Sequence, residues 1–129
     1  MRILIIGGTG LISTSAAHLL AEQGNQVILF NRGLSFYPTA PGVTSMHGDR
    51  NNYAAFEAQM LDAGTFDVVI DMVAYKPEDG ASALRAFRGK IGQFIFCSTV
   101  DVYNKPATRY PFQFLIAESP LLNLIKYPL

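Results

Sequence analysis

Four consecutive apolar residues, Ile3 to Ile6, run straight into Gly7-Gly8-Thr9-Gly10, and a helical pattern begins at Leu11. A run so short, rich in isoleucine and closed by glycines, predicts a fully buried strand of a parallel sheet. The glycines let the backbone turn tightly and approach a ligand with no Cβ atom in the way. The helix that follows aims its free N–H groups and positive dipole end at that gap, which suits a pyrophosphate. A strand, a glycine turn and a helix in this order make a dinucleotide-binding start. Two registers fit the spacing. Gly8, Gly10 and Ser13 fill G-x-G-x-x-G/A, and Gly7, Gly10 and Ser13 fill G-x-x-G-x-x-G, each with serine in the third place. That third small residue lets the helix pack on the strand, and serine is tolerated there. A Walker-type phosphate loop is excluded, because the first lysine of the chain is Lys76.

Beyond the turn, Leu11, Ile12, Ser15, Ala16, Leu19 and Leu20 recur at helical spacing until Gly24 stops the helix. Residues Gln26 to Phe30 predict a second buried strand, which ends in Asn31-Arg32-Gly33. A ribose-reading residue belongs there, about twenty residues past the glycine turn. An Asp or Glu would bind the 2′-hydroxyl of NAD and repel a 2′-phosphate. This chain offers Asn31 and Arg32 instead. Arg32 suits a bidentate pair with a 2′-phosphate, a stacking contact on adenine, or a solvated loop. NADP is therefore favoured over NAD.

Leu34 to Gly42, with Pro38 and Pro41, reads as a loop, and Val43 to Met46 as a short third strand leading into His47-Gly48-Asp49-Arg50. Asn51 or Asn52 can cap a helix over Tyr53 to Ala63, with Phe56, Met60 and Tyr53 sharing a face. Asp49 suits either an adenine amino group or a capping role. Asp67 to Asp71 is the fourth strand, continued by Met72-Val73-Ala74-Tyr75. Ligands of open α/β sheets lie beyond the carboxyl ends of strands, at the switch point between strands one and four. Met72 to Ala74 are thus expected to line a nucleotide, and Asp71 to be structural. Pro77 opens a third helix through Arg88, with Leu84 and Phe87 inward, and Gly89 ends it. Gln93 to Cys97 is the fifth strand, followed by Ser98-Thr99-Val100-Asp101-Val102-Tyr103. The alternation predicts an α/β, Rossmann-type doubly wound parallel sheet in the order 3-2-1-4-5. Hydroxyls of Ser98 or Thr99 fall over the crevice, or cap the next helix. Cys97, beside Phe96, reads as buried core rather than as a nucleophile.

Composition narrows the classes. The 129 residues are half hydrophobic and carry no formal net charge, enough for one domain with a real core. Balanced charge gives no electrostatic reason to expect nucleic acid or an anionic membrane as partner. The single Cys97 rules out an internal disulfide framework and fits a reducing compartment, so the cytoplasm is expected. Cys97 with the distant His18 and His47 offers no metal-like spacing, and both histidines read as structural or surface residues. Gly7, Gly8 and Gly10 break the apolar run that a secretory signal would need, and no stretch approaches the ~18 apolar residues of a membrane span.

These stretches together resemble the short-chain dehydrogenase/reductase superfamily, in its extended NAD-dependent epimerase/dehydratase branch. The resemblance rests on GGTGLIS (7–13), NRG (31–33), HGDR (47–50), DVVIDMVAY (67–75) and FIFCSTVDVY (94–103), in family order. NRG, GDR and DMVAY are most similar to an atypical group that includes chloroplast stem-loop-binding proteins. The resemblance implies that Gly7, Gly10 and Ser13 hold the pyrophosphate, with Leu11 and Ile12 among the cofactor-binding residues. It implies Arg32 at the adenosine ribose or its phosphate, Asp49 at adenine, Arg50 also at the cofactor, and Val73 and Ala74 beside the nucleotide. Thr99, or else Ser98, takes the place of the Ser/Thr that hydrogen-bonds the substrate oxygen. The family's chemistry also needs a Tyr-x-x-x-Lys pair, whose lysine lowers the tyrosine pKa for proton exchange with the substrate.

That pair is missing. Tyr37, Tyr53, Tyr75, Tyr103 and Tyr110 are followed four residues on by Pro41, Glu57, Asp79, Ala107 and Phe114, and Tyr127 lies two residues before Leu129. The expectation is two parts: a dinucleotide-binding domain over 1–105 and a Pro-rich, apolar tail over 106–129 that needs a surface to cover. The whole reads as the N-terminal piece of an epimerase, dehydratase or reductase acting on a nucleotide-sugar-like or other hydroxyl/carbonyl substrate, inactive as it stands. A small-molecule substrate is expected only in a longer form, and the question of a homo-oligomer stays open. The alternative is a non-catalytic, cofactor-sensing or RNA-associated member of the same superfamily.

Overall fold

Every strand runs parallel to its neighbours, and the sheet order is β3-β2-β1-β4-β5. The computed structural model describes residues 1–34 and 40–97, and Met1–Cys97 form one unit. The elements are β1 (Arg2–Ile6), α1 (Leu11–Glu22), β2 (Gln26–Asn31), β3 (Val43–His47), α2 (Tyr53–Asp62), β4 (Phe66–Asp71), α3 (Pro77–Phe87) and β5 (Ile91–Phe96). This is the order 3-2-1-4-5 expected from the alternating pattern. Ile3 pairs with Val27 on one side of β1 and with Val68 on the other, so β1 is central and buried on both faces.

Strand residues alternate between two cores. Leu4, Ile6, Ile28, Phe30 and Val69 face α2 and α3, where Phe56, Met60, Ala83, Ala86 and Phe87 meet them. Ile3, Ile5, Val27, Leu29 and Val43 face the opposite way, toward Ala17 of α1. The first core carries a chain of edge-on rings. Phe30 and Phe56 lie 5.3 Å apart, Phe56 and Phe87 6.0 Å, and Phe66 and Phe87 6.3 Å. Such pairs add about 0.5–1.5 kcal/mol each beyond the area they bury.

Two expectations about burial are corrected. On α1 the apolar residues at helical spacing do not all face inward: Leu11, Ile12 and Leu19 are exposed, and the buried positions are Ser13 and Ala17. Small side chains let this helix lie close to the sheet, and that geometry selects its inner face. Cys97 is exposed rather than buried. It follows β5, the edge strand among the described residues, whose pattern is only half covered.

Helix ends follow local chemistry. Asn52 caps α2, its Oδ1 accepting the Ala55 N–H at 3.3 Å. Pro77 stands at the start of α3, with Glu78 and Asp79 in the first turn. α1 closes on Gly24, whose φ is +82°.

Candidate functional site

The carboxyl ends of β1, β2 and β4 come together at one edge of the sheet, and the loops that leave them form the site. After β1 the backbone turns at Gly7, with φ +85° and its N–H donated to the Phe30 carbonyl at 2.9 Å. A Cβ at Gly7 would also collide with the Val73 side chain, so this position admits glycine on two independent grounds. Gly8 has no left-handed φ, but its Cβ would stand 2.6 Å from Leu29 Cδ2. Gly7 therefore makes the turn, and Gly8 sets how near it lies to β2.

Gly10 is the N-cap of α1. Its N–H goes to Ser13 Oγ at 2.9 Å, while that hydroxyl faces the carbonyls of Gly7 and Gly10, each at 3.1 Å. Serine in the third small position is thus more than tolerated: it ties the turn to the helix. The first helical hydrogen bond runs from Thr14 N–H to the Gly10 carbonyl, 2.9 Å. The N–H groups of Leu11, Ile12 and Ser13 precede it and have no acceptor within the helix. Leu11 and Ile12 are 88% and 71% exposed, and Gly10 is exposed too, so the helix start is uncovered. An oxyanion held there would meet backbone donors and the positive end of the helix dipole.

At the end of β2, Asn31 Oδ1 accepts the Gly33 N–H at 2.8 Å and lies 3.3 Å from His47 Nδ1. Asn31 and His47 are register partners across β2 and β3. Arg32 stands exposed between Asn31 and Gly33. Asp49 is exposed as well, and its Oδ1 accepts the Asn51 N–H at 2.9 Å.

Arg50, expected beside Asp49 at a cofactor, is instead only 6% exposed and directed inward. Its Nη2 lies 3.3 Å from Asp71 Oδ2 and donates to the Asp79 carbonyl, and its guanidinium sits 4.4 Å over the Phe56 ring. Asp71 also accepts the Val73 N–H at 3.1 Å. Burial pushes the Asp71 carboxyl above its usual range, with Arg50 and the Val73 N–H only partly offsetting it. Burial pushes Asp79 up as well, but there the N–H groups of Tyr75 and Lys76, the Tyr53 hydroxyl and Arg50 prevail and hold it below the usual range. Tyr53 in turn is raised, by desolvation first and then by its bond to Asp79.

Val73 is half-buried against Gly7, and Ala74 is buried. Thr99 and Ser98, expected at a substrate oxygen, lie outside the described residues, as does the 106–129 tail. The sequence reading missed Asp79 and Tyr53. A signal was present for Asp79, since Pro77 at the first helical position puts Asp79 at the third, where a carboxylate reaches back to the preceding amides. None existed for Tyr53, whose hydroxyl meets Asp79 only through the packing of α2 on α3.

The chain is 34% identical over 117 residues to the chloroplast stem-loop binding protein of 41 kDa b of Arabidopsis thaliana, covering 81% of this chain and 30% of that protein. It is 28% identical over 121 residues to 2′-dehydrokanamycin reductase of Streptomyces kanamyceticus, covering 94% and 34%. It therefore spans about a third of the length of these relatives. The fold matches that of the Bordetella bronchiseptica enzyme WbmH in complex with NAD+, with a TM-score of 0.67 at 19% identity over 95% of this chain and 48% of that one. No helix among the described residues is long and apolar enough to cross a membrane. The sequence profile of the NAD dependent epimerase/dehydratase family matches residues 3–125, and the chain belongs to that family.

Proposed function

We propose that this chain is the nucleotide-binding part of an NAD(P)-dependent enzyme that works on a hydroxyl or carbonyl group of a nucleotide-sugar-like substrate. The observation that carries the reading is the uncovered start of α1 beside the Gly7 turn. There the Gly10 N–H is already satisfied by Ser13, and those of the exposed Leu11 and Ile12, which have no acceptor within the helix, remain for a diphosphate. A nicotinamide nucleotide bound there would supply the hydride donor or acceptor. Gly7, Gly10, Leu11, Ile12 and Ser13 hold the diphosphate, Arg32 the adenosine ribose or its 2′-phosphate, and Asp49 the adenine amino group. Val73 and Ala74 form the wall beside the nucleotide. Thr99, or else Ser98, meets the substrate oxygen.

NADP is preferred over NAD, because Arg32 offers a fork to a phosphate and the end of β2 carries no carboxylate to repel it. The chain works in a reducing compartment such as the cytoplasm, and it binds substrate and turns it over only within a longer protein. Titration of NADP and NAD into the purified chain, followed by calorimetry, tests this. Saturable binding is expected, with NADP tighter and Arg32→Ala weakening NADP about tenfold more than NAD, one charge-assisted contact's worth. No saturable binding of either nucleotide would overturn the reading.

A second reading is favoured by the Arabidopsis relative, whose name records binding to a stem-loop. On it the chain is a non-catalytic, RNA-associated member of the superfamily rather than part of an enzyme. Its formal charge of zero opposes that reading, since phosphate-backbone binding draws on a basic surface. RNA affinity with a steep salt dependence would establish it.

A further inference from the structure

We propose that Arg50 and Asp79 are positioning residues for the nucleotide: acting with Asp71 and Tyr53, they clamp the loop between β4 and α3 against the Gly7 turn. The proposal rests on the nucleotide-binding reading above and adds to it what holds the wall of that site in place. The loop, residues 72–76, belongs to neither strand nor helix, so its N–H groups need acceptors from elsewhere. Met72 N–H reaches the Ile6 carbonyl at 3.0 Å. Val73 N–H goes to Asp71 Oδ1 at 3.1 Å, and those of Tyr75 and Lys76 go to Asp79 Oδ2 at 2.9 and 3.0 Å. Three loop amides thus hang on two buried carboxylates.

Those carboxylates are themselves held from across the fold. Arg50 arrives from the loop before α2 and touches both Asp71 and the Asp79 carbonyl, while Tyr53 of α2 donates to Asp79 Oδ1 at 3.0 Å. At the other end of this chain of contacts, Val73 occupies the space that a Cβ on Gly7 would take. Stability alone does not call for this arrangement. An apolar plug of similar volume often stabilises a core as well as a buried ion pair does or better. What an apolar plug cannot do is accept three backbone N–H groups and so fix where Val73 stands relative to the turn.

Asp79→Asn tests this, because it keeps the side chain's size while removing the charge and one acceptor. NAD affinity is measured by calorimetry at a temperature where wild type and variant are both fully folded, so lost stability alone does not move it. The expected result is a dissociation constant about tenfold higher for Asp79→Asn and about threefold higher for Tyr53→Phe, in line with the loss of a charged and a neutral-donor hydrogen bond. Without nucleotide, amide exchange at Tyr75 and Lys76 should be faster in Asp79→Asn than in wild type. Glu57→Gln, which breaks the Glu57–Arg85 pair on the solvent side of the same two helices, should leave the dissociation constant unchanged. An Asp79→Asn protein that unfolds at lower temperature but binds NAD as tightly as a wild type that binds it would overturn the positioning role alone. If the wild-type chain binds no dinucleotide, the nucleotide-binding reading falls and the positioning role with it.

Discussion

The face of the sheet under α2 and α3 and the face under α1 are lined by alternate residues of the same strands, yet they are closed in different ways. Under α2 and α3, large rings interlock: Phe30, Phe56, Phe66, Phe87 and the half-buried Phe94. Under α1 the helix contributes Ala17 and Ser13 to full burial, with Leu20 and Ala21 partly covered, and Val68, Ile70 and Met72 of the β4 region remain half-buried. Ring packing buries more area per residue and carries more of the stability. Small residues under α1 bring backbone close to backbone, so that the Ser13 hydroxyl can reach the turn. One face holds the fold together, and the other sets where the first N–H groups of α1 point.

The largest effect that would test this contrast is Phe87→Ala, which removes a ring in contact with three others. A loss of about 3–5 kcal/mol in urea unfolding is expected. Arg50→Met should follow, at about 3 kcal/mol, because it leaves the Asp71 carboxylate buried without its cation. Its pH dependence has a definite sign. The folded pKa of Asp71 lies above its unfolded value, so its contribution is fully present below the unfolded pKa and is lost as pH rises through the folded one. The deficit of Arg50→Met should therefore be greatest near neutral pH and shrink on acidification. Asp79 has the opposite sign: its folded pKa is lowered, and its contribution is lost as pH falls through that value.

On the other face, Ala17→Leu should cost about 1–3 kcal/mol by overpacking. The same substitution should weaken dinucleotide binding, because it pushes the start of α1 off the turn. A stability loss with unchanged affinity would show that close approach under α1 serves packing only. Smallest of all, Leu19→Ser should shift stability by no more than about 0.5 kcal/mol, since Leu19 is 57% exposed. A loss comparable with that of Phe87→Ala would erase the distinction between the faces.

Much of the architecture was legible in the residues. Buried parallel strands are continuous apolar runs, and glycines, prolines and Asn52 mark the ends of elements through their own backbone chemistry. The strand starts and stops predicted from sequence lie within a residue or two of those observed. The helix faces were less legible. In α2, Phe56 and Met60 declare the inner face by size, whereas in α1 the sequence offers more apolar residues than one face can bury. Which of them turn inward depends on how closely the helix lies on the sheet, and no periodicity states that distance. The edge position of β5 was likewise implied by the strand order, yet its consequence, an exposed Cys97, follows only when nothing is paired beyond it among the described residues.

Sequence alone determined the strands and the glycine turn at the head of α1, because each depends on residues adjacent in the chain, and the alternation of strands with crossover helices pointed to the parallel order. Only the tertiary structure decided that Arg50 turns inward to Asp71 and Asp79 and that Val73 stands over Gly7. These pairings join residues up to 66 positions apart. Local propensity cannot encode them, since they arise only when the strands that carry them are brought side by side.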